Sequence, residues 1–241
     1  LVIMLLFIIN GIFRSAGDAA TAMKVLWFAN ILNIALDPIL IFGAGPIPAL
    51  GIAGAAIATT IGRGLAVLYQ FYLLFRGKGR VGLRLSELKI DIPVILKILR
   101  LSGGTIGQYL IATSSWIGLM RILAEFGSTA VAGYTIAIRI IVFALLPAFG
   151  LGNAASTLVG QNLGAKKPDR AEKAVWSTGR LSMIFLGIIG MLFIFAPEFW
   201  IKLFIEDSAV IESGAKGLQI ISLGYALYGL GMVLVHSING A

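Results

Sequence analysis

Asn30-Ile-Leu-Asn33-Ile-Ala-Leu-Asp37-Pro38 lies inside an apolar run from about Met23 to Phe42. A helix needs roughly 20 such residues to cross a bilayer. The i, i+3, i+7 spacing places Asn30, Asn33 and Asp37 on one face of that helix. An Asp at the centre of a membrane helix costs about 2.5–3.5 kcal/mol on insertion scales. Acids kept there mostly mark an ion or substrate path. Pro38 has no N–H, so the carbonyl of Ile34 loses its helical partner. A freed carbonyl, Asn amides and a carboxylate suit a hard cation such as Na⁺ at Asp37 and Asn33. The carboxylate alone suits a proton.

Composition sets the class. Of 241 residues, 59% are hydrophobic and only 12% charged, and the mean hydropathy is +0.97. Several runs approach the length of a span, so the expected fold is an all-α polytopic membrane protein. Thirty glycines fit helices packed closely in lipid. With no cysteine, disulfides and thiolate metal sites are excluded. The net charge of +8 gathers in particular loops, which reads as topology and not as a nucleic-acid surface. The chain opens inside an apolar run, Leu1 to Ile9, and stops just after another. That pattern reads as an internal piece of a longer protein.

The expected spans are a short first one to about Phe13, then 23–43, 52–75, 94–125, 129–160, 176–204 and 214–238. Pro147, Gly150 and Gly152 should kink the fifth. Asp91 and Pro93 read as a helix start. Loops 14–24, 76–93 and 164–174 hold most of the Lys and Arg, including Arg76, Lys78, Arg80, Arg84 and Lys89. Loops 43–51, 126–130 and 205–213 hold none, and the last is acidic. The positive-inside rule makes the first set cytoplasmic. Segment 83–90 is expected at the membrane surface. Asn10-Gly11-Ile12 is echoed by Asn239-Gly240-Ala241, each after a span on the same side, as a parallel repeat would have it.

Several stretches resemble the multidrug and toxic compound extrusion (MATE) transporters, within a larger group that includes polysaccharide and lipid flippases. They are Gly11-Ile-Phe-Arg14-Ser-Ala-Gly17-Asp18, Asn33 to Pro38, Leu50 to Thr59, Phe126 to Ala137, and above all Pro147-Ala-Phe-Gly-Leu-Gly-Asn-Ala-Ala-Ser156 continuing to Gly160-Gln161-Asn-Leu-Gly164-Ala. They keep the family's order over nearly the whole chain. The resemblance implies a twelve-helix, two-lobe bundle. Residues 1–76 would close the N-terminal lobe with part of helix 4 and helices 5 and 6. Residues 77–93 would be the basic inter-lobe loop, and 94–241 would open the C-terminal lobe with helices 7 to 10.

The resemblance also implies roles. In one prokaryotic branch an Asp and an Asn on helix 5 and a Thr on helix 6 couple transport to a cation; Asp37, Asn33 and Thr59 match them. Another branch has carboxylates on helices 7 and 10, where this chain has Thr113 and Tyr228. That departure puts the weight on Asp37. The implied function is a non-enzymatic, H⁺- or Na⁺-coupled antiporter in the plasma membrane, monomeric when full length, exporting organic cations and needing no cofactor. The alternative is a flippase of lipid-linked saccharides, which Arg63 and Arg139 both facing inward would favour. No His-Glu-x-x-His or Gly-x-Ser-x-Gly motif supports a membrane enzyme.

Other polar residues carry less. Asn30 reads as interhelical glue, and Arg121 with Glu125 as a local i,i+4 pair. Arg139, near mid-membrane, divides evenly between cavity wall and structural anchor. Gln108, Tyr109, Trp116, Tyr134, Tyr225 and Tyr228 suit a cavity for flat organic cations. For each one alone, packing or an interfacial belt is the stronger reading. A satisfied or solvated side chain is the stronger reading for His236, the sole histidine.

Overall fold

The computed structural model describes residues 1–77, 81–84 and 90–241. Lys78, Arg80, Lys89 and residues 85–89 of the expected surface segment lie outside the described residues. The described chain forms two compact units, Leu1–Ile90 and Asp91–Ala241.

The first unit holds α1 (Val2–Ser15), α2 (Ala19–Phe42) and α3 (Gly51–Arg76). Turn chemistry sets their ends. The Asp18 carboxylate accepts from the Thr21 N–H at 3.1 Å and caps α2. α2 runs on through Pro38 to Gly43, whose φ of +81° suits glycine. The α2–α3 linker folds back through paired Ala44 and Ile47. α3 presents Gly54, Ala58, Gly62 and Ala66, all buried, one turn apart. This ridge lets α2 approach until a Cβ at Gly54 would run into the Leu40 carbonyl.

One turn beyond Ala66, Gln70 reaches α1. Its Nε2 donates to Asn10 Oδ1 at 3.0 Å and to the Leu6 carbonyl at 3.3 Å. Both amides are sealed in: Asn10 is 2% exposed and Gln70 0%. Leu6, Ile9, Phe13, Val25, Val67 and Leu74 surround them. Gln70→Leu is expected to destabilise this unit by about 1–2 kcal/mol, since Asn10 is left buried without its donor. Thermal unfolding in detergent checks this; an unchanged midpoint would contradict it.

The second unit holds α4 (Ile92–Ala124), α5 (Ser128–Gly164), α6 (Pro168–Phe195), α7 (Pro197–Lys202), α8 (Ser208–Ser222) and α9 (Tyr225–Gly240). Asp91 caps α4 through the Val94 N–H, and Pro93 sits in its first turn, as expected. Glycines again set the close approaches. Gly133 of α5 meets Gly214 of α8, and Gly229 of α9 meets the Ser182 carbonyl of α6. The core between them includes Ile141, Leu145, Leu186, Phe193, Leu218 and Met232.

Several expected boundaries change. α2, α3, α5 and α6 are long and apolar enough to cross a membrane. α4, expected as a span over 94–125, has the length but not the hydropathy. Its Ser102-Gly-Gly-Thr105, Gln108 and Thr113-Ser-Ser115 dilute it. α5 is one continuous helix that carries Pro147 in its interior. The expected span 176–204 starts earlier and stops at Phe195, before Pro197 begins the short α7. The expected acidic loop 205–213 is helix from Ser208 onward: the Asp207 carboxylate caps α8 through the Ala209 and Val210 N–H groups. The last span is a pair, α8 and α9, bent by 57°. Loops 14–24 and 164–174 shrink, since Lys24, Asp169, Arg170 and Lys173 lie on helices. Glu198–Lys202 and Glu212–Lys216 form the i,i+4 ion pairs found among the described residues. Arg121 and Glu125 do not pair; Glu125 falls just outside α4.

Candidate functional site

Two places gather the candidate residues. The first lies between α2 and α3. The chain reverses between these helices, and two contacts fix their register: Gly54 meets Leu40, and Gly62 meets both the Asn33 side chain and the Ala29 carbonyl. Asp37, between Leu40 and Asn33, therefore stands level with Ala58, and Thr59 is the next residue on α3. Asn33, Asp37 and Thr59 are all half-buried.

Seven buried side-chain polar atoms lack a hydrogen-bond partner among the described residues. Five belong to α1–α3, and three of these are Asn33 Oδ1, Asp37 Oδ1 and Arg63 Nε. Buried polar atoms are nearly always paired, so such a group marks either stored cost or a place for a missing partner. Two of the three are oxygens one helical turn apart on α2, the donor type a proton or a hard cation takes. No hydrogen bond joins Thr59 to Asp37, and Arg63 forms no ion pair with Asp37, among the described residues. Asn30 is exposed and outside the group. The described residues hold no cluster of three or more His, Asp or Glu side chains. A cation at Asp37 would thus complete its shell from amide, hydroxyl and backbone oxygens.

The second place is a cavity of about 540 Å³ in the Asp91–Ala241 unit. One wall is a face of α4 carrying Thr105, Gln108, Tyr109 and Ala112. The other is a face of α9 carrying Tyr228, Met232, Val235, His236 and Asn239. Phe149 of α5 also lines it. The His236 ring stands edge-on to Phe149, with centroids 6.2 Å apart, and covers Gly152, where a Cβ would come within 2.9 Å of it.

Residues 105–241 match the MatE family model. The chain belongs to the MATE family. It is 30% identical over 222 residues to a probable multidrug resistance protein NorM of Thermotoga maritima, covering 90% of this chain and 46% of that one. It is 27% identical to the FAD transporter of Shewanella oneidensis, covering 98% of this chain and 52% of that one. The fold matches an outward-facing multidrug resistance MATE transporter of the MOP superfamily with a TM-score of 0.87 at 24% identity, over 99% of this chain and 53% of that one. The chain thus spans about half the length of the relatives it matches. Membership makes it a multi-pass plasma-membrane protein of an α-helical transporter family.

Within this MATE chain the expected cavity residues separate. Gln108, Tyr109 and Tyr228 line the cavity. Tyr225 does not: it is 2% exposed and packs edge-on against Phe193 in the core. Trp116 and Arg139 are exposed on α4 and α5, and Tyr134 is half-buried on α5, all away from the cavity. His236 and Asn239 do line it, though neither drew weight in the sequence; the spacing 228, 232, 235, 239 along α9 carried that signal.

Proposed function

We propose that the protein is a secondary antiporter that exchanges H⁺ or Na⁺ for organic drugs or toxic metabolites by alternating access of two lobes. Residues 1–76 would end the first lobe, 77–93 would connect, and 94–241 would begin the second. The observation that carries this reading is the pair of buried, unpartnered oxygens on Asn33 and Asp37 in an apolar helix. A membrane protein keeps an acid there where a cation periodically neutralises it. Thr59 would add a hydroxyl ligand from α3. The loops after α1, α3 and α5 would face the cytoplasm, by their Arg and Lys content. The NorM and FAD-transporter relatives support export of organic compounds.

The test is efflux from a drug-sensitive, efflux-deficient bacterium carrying the complete open reading frame. Norfloxacin or ethidium should leave energised cells faster than from cells lacking the protein. Normal membrane expression with no efflux of either compound would overturn the reading and favour the lipid-linked saccharide flippase.

A second prediction concerns position. A Cβ at Gly62 would run into Asn33 Oδ1, while one at Gly64 meets nothing within 4 Å. Gly62→Ala is expected to displace Asn33 and slow efflux several-fold, with Gly64→Ala unchanged. Equal rates in both variants would remove Asn33 from the site.

A further inference from the structure

The second-unit cavity has an unexpected chemistry for a site meant for organic cations. Its walls offer ring faces, from Tyr109, Tyr228 and Phe149, and hydrogen-bonding groups, from Gln108, Asn239 and His236. Among the described residues that line it there is no Asp or Glu. Its one basic side chain is the His236 imidazole. Its size falls within the range of small-molecule pockets, about 300–1,000 Å³.

A cation entering such a space loses hydration and meets no carboxylate on these described walls. Cation–π attraction to the tyrosines repays only part of that loss. An uncharged ring of the same shape keeps the stacking and avoids most of the desolvation. Its edge N–H and C=O groups find the amides of Gln108 and Asn239, which both donate and accept. Geometry also prepares the site. Phe149 and Gly152 hold the His236 ring, and Tyr228 is 53% exposed with its side chain at the cavity wall.

We propose that this cavity binds uncharged, flat heteroaromatic compounds, stacked on Tyr109 and Tyr228 and hydrogen-bonded at their edges, in preference to organic cations of the same shape. Its place in transport rests on the antiporter reading; the binding itself does not.

A matched pair of three-ring fluorescent compounds tests this: acridone, which is neutral with an edge N–H and C=O, and proflavine, which is cationic. Each is titrated into the purified protein, expressed from its complete open reading frame, in detergent. Acridone is expected to bind at least about tenfold more tightly than proflavine, and Tyr228→Ala to weaken it about tenfold, the scale of losing one stacked ring. Tyr228→Phe should keep the affinity. His236→Glu should reverse the preference by supplying an acid. If that variant fails to fold, Gln108→Glu on the exposed α4 makes the same change from the opposite wall.

Tighter proflavine binding in the wild type would overturn the proposal. So would acridone binding that is absent, or indifferent to Tyr228→Ala. Asp37→Asn separates the two readings: the purified variant should still bind acridone, and Tyr228→Ala should still weaken that binding, while coupled efflux is lost. Binding at Tyr228 in a protein that exports nothing would sink the antiporter and leave the cavity standing.

Discussion

Asp37→Asn is expected to reduce cation-driven export to the level of cells lacking the protein. The substitution keeps shape and volume but removes the one group of the α2–α3 site that can take up a proton or neutralise a cation. The fold should tolerate it. Asp37 Oδ1 is buried with no hydrogen-bond partner to lose, and a neutral amide costs less than a carboxylate in an apolar helix. Expression and thermal stability should therefore match the wild type while energised efflux disappears. Asp37→Glu, which keeps the charge but moves it by one methylene, should retain part of the rate. Efflux assays on the three proteins at equal membrane abundance decide this. Full efflux by Asp37→Asn would place the coupling group elsewhere.

Gly54→Leu should have the largest effect on stability. A Cβ at Gly54 would meet the carbonyl oxygen and carbon of Leu40, which are backbone atoms of the facing helix. No rotamer change relieves that contact; α2 and α3 must separate. Overpacking of this kind costs about 3 kcal/mol, or roughly 6–12 °C in unfolding midpoint for a chain of this size. Gly118→Ala, on exposed α4 with nothing within 4 Å, is the control and should change neither midpoint nor expression. A Gly54→Leu protein as stable as the control would mean that the α2–α3 ridge does not hold the first unit together.

Much of the architecture could be read because membrane helices end on simple chemistry. Asp91 caps α4 where the sequence reads as a helix start, while Asp18 caps α2 several residues before its expected beginning. The Gly43–Gly51 linker turns where glycine and proline concentrate. The same logic failed at Asp207. An acidic cluster looked like a loop, although one of its carboxylates caps α8 and Glu212 lies on its exposed face, paired with Lys216. The bend between α8 and α9 gave little warning, because Gly224 sits in an apolar run whose hydropathy does not change.

Side-chain partners were harder still. The Asn10–Gln70 bond joins residues 60 positions apart, and Gln70 stands among aromatic residues that draw more attention. Asn10 and Asn239 share a local motif but not an environment: the first is buried and bonded, the second exposed at a cavity wall. Tyr225 and Tyr228 differ by less than one turn, yet one fills the core and the other faces the cavity. Helical spacing of i, i+3 puts two such residues near one face; only the neighbouring helices decide which one turns inward.

We propose Asp37 as the carrier of the coupling cation. The most direct measurement is the release of H⁺ or Na⁺ when a transported compound is added to the purified wild-type and Asp37→Asn proteins in weakly buffered detergent, read with a pH dye and a Na⁺ electrode. The wild type should release one of the two ions in proportion to bound compound, and Asp37→Asn should bind the compound and release neither. Equal release from both proteins would contradict the claim.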